Sequence, residues 1–120
     1  METIRIIEND IAEIVSDKIE INDLQDALDI MATCSYKGAE GIIIDEKNII
    51  PDFFDLKTGV AGEILQKFST YNMKVAITGD FSKYTSKSLK DFIYESNKTG
   101  HILFVDSVET AKQELKRLIN

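Results

Sequence analysis

The chain has few of the residues that form disulfides, rigid turns and most metal sites. Its 120 residues include one cysteine, one proline, one histidine and no tryptophan. A single cysteine cannot form an internal disulfide, and Cys34 in the apolar run IMATCSY is most simply a small buried side chain. His101 has no cysteine or second histidine at ligand spacing. We therefore expect neither a metal site nor a bound cofactor.

Basic residues and long apolar runs are also scarce. The 14 lysines and arginines stand against 21 acidic residues, which gives a formal net charge of -7. Because phosphate binding needs clustered cations, this balance argues against nucleic acid as a partner. The apolar stretches are far shorter than the roughly 20 residues that span a bilayer, and no basic segment followed by an apolar one opens the chain. We expect a cytoplasmic protein without membrane insertion.

The remaining composition is that of an ordinary globular domain. Hydrophobic residues make up 43% of the sequence and charged residues 29%, values typical of soluble proteins. A length of 120 residues is enough for one substantial core but not for two. We expect residues 1–120 to form a single domain.

Alternating strand and helix patterns predict an α/β fold. A turn-like Glu8-Asn9-Asp10 separates the first two β-branched runs, which favours a hairpin. Later strands alternate with helices of about ten to fifteen residues, a pattern that forms right-handed crossovers and a parallel sheet. The predicted order is ββαβαβαβα, a mixed and mostly parallel sheet with the hairpin at one edge and helices packed on it. The predicted strands are 3–9, 11–17, 41–45, 74–78 and 101–105.

Capping residues and apolar spacing locate the helices. The first helix is predicted to begin at Asn22 or Asp23 and the third at Thr85 or Ser86. Asp106, with a glutamate three residues on, resembles the acidic N-cap of a capping box that opens the last helix. The apolar stripe of the first helix is predicted to contain Leu24, Ala27, Leu28, Met31 and Ala32.

Two polar loops are found where predicted parallel strands end. In open α/β sheets, ligands collect beyond the carboxyl ends of the strands, near the free N–H groups at helix starts. The first loop lies in the run FFDLKTGVAGEILQ and offers a carboxylate, an ammonium group, a hydroxyl and bare backbone. Its candidate binding residues are Asp55, Lys57, Thr58 and Gly59. Those of the second loop are Asp80, Phe81, Ser82, Lys83, Tyr84, Ser86 and Lys87.

Each loop has a structural interpretation beside the functional one. In the structural interpretation, Asp55 caps a helix, Lys57 is solvated, and Gly59 and Gly62 let that helix pack closely on the sheet; the second loop is a solvated turn. In the functional interpretation, a phosphate on Thr58 is stabilised by the helix dipole with Lys57 as counter-charge. The hydroxyl and ammonium groups of the second loop then hold a small anion. The sequence leaves both interpretations open.

The runs FFDLKTG and GDFSKYTSKSLKDFIYESN, and the chain from end to end, resemble a bacterial family of domains of unknown function. More distantly, the element order is similar to that of STAS domains, the fold of the anti-sigma factor antagonists, and of a SpoIIAA-like group related to lipid-binding Sec14 domains. In the antagonists, a partner kinase phosphorylates a serine in a D-S-S-G-L-G helix start. The resemblance places Thr58 at the phosphoacceptor position. Here threonine replaces serine, Lys57 replaces a small residue, and one extra residue separates Asp55 from the hydroxyl.

Two functions are predicted from these features. The first is a non-enzymatic regulatory module that recognises a protein partner around Thr58, with a phospho-switch at that residue. The second is a sensor for a small anionic or amphipathic ligand held between the two loops. The edge strand of the hairpin is also compatible with a homodimer.

Catalysis is not expected. Asp45 and Thr78, at the ends of neighbouring strands, resemble the phosphoacceptor arrangement of receiver domains, but Asp106 stands where that chemistry needs a lysine. A Gly-x-Ser-x-Gly nucleophile elbow is absent from the sequence.

Overall fold

The structure is a computed structural model that describes residues 3–8 and 10–119. Across these residues, five strands and four α-helices confirm the predicted α/β class. Asn9, in the predicted hairpin turn, lies outside the described residues. The elements are β1 (Ile4–Glu8), β2 (Ile11–Ile14), α1 (Leu24–Tyr36), β3 (Gly41–Asp45), α2 (Val60–Thr70), β4 (Lys74–Thr78), α3 (Lys87–Thr99), β5 (Ile102–Val105) and α4 (Val108–Ile119).

The strands form one sheet in which their spatial order is their order in the chain. β1 and β2 pair antiparallel, with Ile4 opposite Ile14, which confirms the hairpin. The other neighbouring pairs are parallel. Register places Asp45 at the end of β3 beside Thr78 at the end of β4. The sheet is thus mixed and mostly parallel, with β1 and β5 at its edges.

Helices cover the two faces of the sheet unequally. Right-handed crossovers that step in one direction put α1, α2 and α3 on the same face, where they bury the larger core around Ile42 and Ile44. α4 packs on the opposite face over Ile43, Ala76 and neighbouring side chains of β3, β4 and β5. Because β3 is buried on both faces, its sequence is continuously apolar instead of alternating.

Helix starts agree with the predicted caps at two of three positions. Asp23 caps α1 and Ser86 caps α3, each accepting the backbone N–H of the residue three positions on. At α4 the prediction is wrong: Ser107, and not Asp106, accepts the Thr110 N–H, at 3.1 Å. The cap lies one residue later because the Ser107 hydroxyl reaches the third helical N–H.

The buried stripe of α1 differs in part from the predicted one. Ala27 and Met31 are buried as expected, but Ala32 is exposed, and Ile30 and Cys34 are buried instead. Positions 27, 30, 31 and 34 follow the i, i+3, i+4, i+7 spacing of one helix face. Burial raises the pKa of the Cys34 thiol to about 11, so this cysteine is a protonated, inert core residue.

A buried asparagine joins two loops at the carboxyl edge of the sheet. Asn48, in the 3-10 turn Glu46–Asn48 after β3, is only 1% exposed. Its Nδ2 donates to the carbonyl oxygens of Ser16 at 2.9 Å and Lys18 at 2.8 Å. The backbone carbonyl oxygen of Asn48 accepts hydrogen bonds from the N–H groups of Glu20 at 2.8 Å and Ile21 at 3.0 Å. The segment between β2 and α1 is therefore held against the segment after β3.

We expect Asn48→Ala to lower the free energy of unfolding by about 2–4 kcal/mol, because a buried side chain is truncated and the carbonyl groups of Ser16 and Lys18 lose their donors. Asn48→Asp should destabilise the fold at least as much, since a carboxylate cannot donate to a carbonyl. Chemical denaturation measures both changes. Gln113→Ala removes an exposed amide as the control and should change stability by less than about 0.5 kcal/mol. Equal stabilities of Asn48→Ala and Gln113→Ala would contradict this role.

Candidate functional site

An aromatic cluster connects the two predicted loops beneath their polar tips. Phe54, in the 3-10 turn Pro51–Phe54, stacks on Tyr84 with ring centroids 5.2 Å apart and 14° between the ring planes. Phe81 lies 6.2 Å from Phe54 and meets Phe104 of β5 edge-to-face at 5.2 Å. Offset-stacked and edge-to-face contacts of this kind stabilise aromatic pairs beyond the burial of their area. Aromatic packing therefore connects Phe54, just before the first loop, with Phe81 and Tyr84 of the second.

In the first loop, residues 55–59, each of the four candidate residues is exposed, whereas Leu56 is half-buried and packs against the core. Asp55 accepts the Lys57 N–H at 3.2 Å and so opens a 3-10 turn, Leu56–Thr58. α2 begins only at Val60. The capping role predicted for Asp55 is correct in kind but applies to this turn and not to the α-helix.

Thr58 is exposed, yet its hydroxyl group contacts the local backbone. Oγ1 lies 2.7 Å from the carbonyl oxygen of Asp52 and 2.9 Å from that of Asp55. It also accepts the Val60 N–H at 3.3 Å. A hydroxyl has one hydrogen, so it donates to only one of the two carbonyls at a time. The Thr58 side chain is therefore exposed while its hydroxyl group is hydrogen-bonded to the local backbone.

The two glycines of the first loop and α2 border open space. A Cβ atom built on Gly59 or Gly62 meets no described atom within 4 Å beyond the immediate neighbourhood of the glycine. The prediction that they allow close packing of the helix on the sheet is therefore wrong. Gly59 has φ 79°, a left-handed conformation that glycine adopts without strain. Glycine is therefore favoured here by the backbone conformation and not by packing.

The side chain of Glu46 organises the second loop, residues 79–87. Its Oε1 accepts hydrogen bonds from Lys83 Nζ at 2.8 Å and from the backbone N–H of Asp80 at 3.3 Å. Its Oε2 accepts a hydrogen bond from the Tyr84 hydroxyl at 3.1 Å. A Cβ atom on Gly79 would lie 2.7 Å from Oε1, so glycine leaves room for this carboxylate. Sequence reasoning missed Glu46, because a lone glutamate after a strand does not reveal partners more than thirty positions away.

Other candidate residues of the second loop serve the local structure. Asp80 accepts the Ser82 N–H at 3.1 Å, and hydrogen bonds from the Ser82 side chain and backbone lower the pKa of the Asp80 carboxyl. Ser86 is the cap of α3. Lys87 pairs with Asp91 at 2.9 Å, and this hydrogen bond raises the lysine pKa. The structural interpretation therefore accounts for Ser86, whereas Lys83 takes part in the network around Glu46.

The two loops are brought together only in part. Within residues 3–8 and 10–119, none of the hydrogen bonds or ion pairs links residues 55–59 directly to residues 79–87; Phe54 provides the connection. Beside the second loop is an open pocket of about 320 Å3, here called the loop pocket. It is lined by Ile19, Asp45, Glu46, Lys47, Ile49, Pro51, Phe54, Lys83 and Tyr84.

Fold and site together define an α/β domain with a polar loop surface at the carboxyl edge of a mostly parallel sheet. Residues 7–115 match the family described as "Domain of unknown function (DUF4180)", and the chain belongs to this family. Searches of curated proteins and of solved structures give no match. In the described part of the chain, none of the helices is long and apolar enough to cross a membrane, and no three His, Cys, Asp or Glu side chains cluster as metal ligands.

Gly59→Ala and Gly62→Ala are expected to change stability in opposite directions. Neither added methyl group meets a neighbour, so the backbone conformation at each position determines the sign of the change in stability. Alanine at the left-handed Gly59 should destabilise the protein by about 1 kcal/mol. Alanine at Gly62, inside α2, should stabilise it by about 0.5–1 kcal/mol. Thermal or chemical unfolding measures both, and equal signs would refute the assigned conformations.

Glu46→Gln is expected to lower the pKa of Tyr84. Burial, followed by the hydrogen bond to Glu46 and its charge, raises this pKa from 10.0 to about 12. Glutamine keeps an acceptor but removes the charge, so the pKa should fall part of the way towards its ordinary value. The pKa of Tyr84 is higher in the folded protein than in the unfolded chain. The protonated Tyr84 hydroxyl therefore contributes fully to the stability of the fold below pH 10, and this contribution is lost as the pH rises through about 12.

Tyrosine ring signals followed by NMR during an alkaline titration measure this shift. Glu63→Gln makes the same chemical change at an exposed position of α2 and should leave the Tyr84 pKa unchanged. The same Tyr84 pKa in both variants would show that Glu46 does not control it.

Proposed function

We propose that the protein is a non-enzymatic regulatory module that binds a protein partner through the two loops at the carboxyl edge of its sheet. The observation that supports the proposal is an exposed polar surface beside a packed aromatic cluster. Lys57, Thr58 and Ser82 are exposed, and the Phe54–Tyr84 stack joins the residue before the first loop to the second loop. A STAS-like regulatory role, with Thr58 as the phosphoacceptor, fits this arrangement.

The hydrogen bonds within the two loops matter here because binding costs conformational entropy. Loops that are already ordered lose less freedom on association than flexible ones. Glu46 holds Lys83 and Tyr84 in the second loop, and Asp55 closes the turn of the first. Binding residues placed on loops and positioned by a rigid scaffold are the usual arrangement in α/β proteins.

A phosphate on Thr58 would change the character of this surface. It would add a charge of about -1.5 to -2 next to the first turn of α2, where the Val60 N–H already points at Oγ1. The helix dipole and the neighbouring Lys57 would stabilise the phosphate. The same charge would repel an acidic partner or recruit a basic one, and this is the basis of the proposed switch.

Affinity purification of the tagged protein from lysate of its native cells, with quantitative mass spectrometry, tests partner binding. Lys57→Glu should reduce recovery of the partner about tenfold or more, because the reversed charge lies inside the proposed surface. Lys37→Glu makes the same change at the C-cap of α1, at the opposite edge of the sheet, and should leave recovery unchanged. Equal loss in both variants, or in neither, would refute a partner surface at the first loop.

The phospho-switch is tested on the same partner. Thr58→Asp should alter recovery in the direction that the phosphorylated form does, whereas Thr58→Ala should behave as the unphosphorylated protein. Identical recovery by both variants would remove the switch but not the partner surface.

A small-ligand sensor is the second candidate function, and the loop pocket favours it. Apolar Ile49 and Phe54 line this pocket together with Lys83, a combination suited to an anionic amphipathic molecule. Native mass spectrometry of the purified protein distinguishes the two functions. A retained small molecule that Lys83→Gln releases would support the sensor over the partner-binding module.

A further inference from the structure

A second open pocket lies on the opposite face of the sheet, and the proposed function does not use it. Its volume is about 260 Å3, and it lies at the carboxyl ends of β2, β3 and β4, next to the start of α4. We call it the sheet pocket. Its floor includes Ile43 and Thr78, which are 1% and 5% exposed. Among its other lining residues are Arg5, Glu13, Asp45, Lys47 and Val108.

The charged groups of the sheet pocket are arranged by depth. Glu13 and Arg5 form a cross-strand ion pair at 3.1 Å, with 17% of the Glu13 side chain exposed but 64% of the Arg5 side chain. Asp45 is likewise partly buried, whereas Lys47 is exposed. Two carboxylates, those of Glu13 and Asp45, therefore lie near the floor. The rim carries the two cations, Arg5 and Lys47, together with the exposed carboxylate of Asp17. This separation of charge gives the pocket a polarity along its depth.

The Asp45 carboxylate is held in position before any ligand arrives. Thr78 Oγ1 donates to its Oδ1 at 2.8 Å, and the Lys47 N–H donates to its Oδ2 at 3.0 Å. A carboxylate offers about four lone-pair sites, so Asp45 can still accept hydrogen bonds from a ligand. Arg5 donates to Glu13 through a single nitrogen, Nη2, and a guanidinium carries five N–H donors.

We propose that the sheet pocket binds a small zwitterion, a molecule that carries both an ammonium group and a carboxylate, such as a free α-amino acid. The ammonium group donates to Asp45 and Glu13 near the floor. The carboxylate of the ligand pairs with Arg5 and Lys47 at the rim, and a guanidinium can hold a carboxylate through two parallel hydrogen bonds.

Other classes of ligand fit this pocket less well. A simple anion would be repelled by the Asp45 and Glu13 carboxylates, and a simple cation would be repelled by Arg5 and Lys47 at the rim. At about 260 Å3, the pocket is also at or below the size of sites for drug-like molecules, which start near roughly 300 Å3. A compact ligand with two opposite charges satisfies both constraints.

This inference does not rest on the partner surface, and the sheet pocket shares only part of its lining with the loop pocket. Arg5, Glu13 and Thr78 line the sheet pocket but not the loop pocket. Asp45 and Lys47 border both. Variants at Arg5 and at Lys83 therefore separate the two pockets, because each residue lines only one of them.

The test is a titration of the labelled protein with each L-α-amino acid at millimolar concentrations, observed through backbone amide chemical shifts. We expect at least one amino acid to shift the signals of Ile43, Thr78 and Val108. Its N-acetyl derivative, which lacks the ammonium group, and its amide, which lacks the carboxylate, should each bind about tenfold more weakly or worse. These two probes test the two ends of the zwitterion separately.

Variants then locate the site. Arg5→Gln, at an exposed position, should weaken binding about tenfold, as should the nearly isosteric Asp45→Asn. Lys83→Gln should bind as the unmodified protein does. Thermal unfolding checks that Asp45→Asn is folded, and the Arg5 variant carries the test if it is not. The proposal is overturned if none of the amino acids shifts these signals, if the N-acetyl derivative binds equally well, or if Arg5→Gln leaves the affinity unchanged.

Discussion

The carboxyl edge of this domain depends on the short 3-10 turn that follows β3. From this turn, Asn48 binds the segment between β2 and α1, and Glu46 binds the loop after β4. Two side chains two residues apart thus join three connections that are distant in sequence. The two side chains themselves are largely buried, with Asn48 1% exposed and the Glu46 side chain 15% exposed, although Lys83 is 53% exposed. Hydrogen bonds in such surroundings are stronger than at the surface, and their loss leaves unpaired polar groups.

The strand order determines how the two faces of the sheet are covered. Since the parallel crossovers all step in one direction, three helices share one face, and α4 alone covers part of the other. The first face carries polar loops on an aromatic base, where we propose partner binding. The second face leaves Arg5, Glu13, Asp45 and Thr78 around an open pocket. One fold therefore presents two chemically different surfaces at the same edge.

Much of the fold could be predicted from the sequence because its signals are local. β3 and β4 have the predicted bounds, Gly41–Asp45 and Lys74–Thr78, since a short β-branched run between turn residues has few alternatives. The errors arose where neighbouring candidates compete. Asp106 and Ser107 can both cap a helix, and only the backbone geometry selects the serine. The exposed Ala32 shows that the spacing of apolar residues does not by itself determine which side of a helix is buried.

The candidate site could be predicted only as two loops. Polar residues after parallel strands indicated residues 55–59 and 79–87, but the aromatic stack between Phe54 and Tyr84 and the network around Glu46 were not visible in the sequence. The sequence by itself determined the α/β class, the hairpin and the position of two polar loops after parallel strands, because periodicity and capping act over a few residues. Tertiary structure alone decided which side chains meet, since those contacts join residues thirty or more positions apart and depend on strand register and on the face that each helix covers.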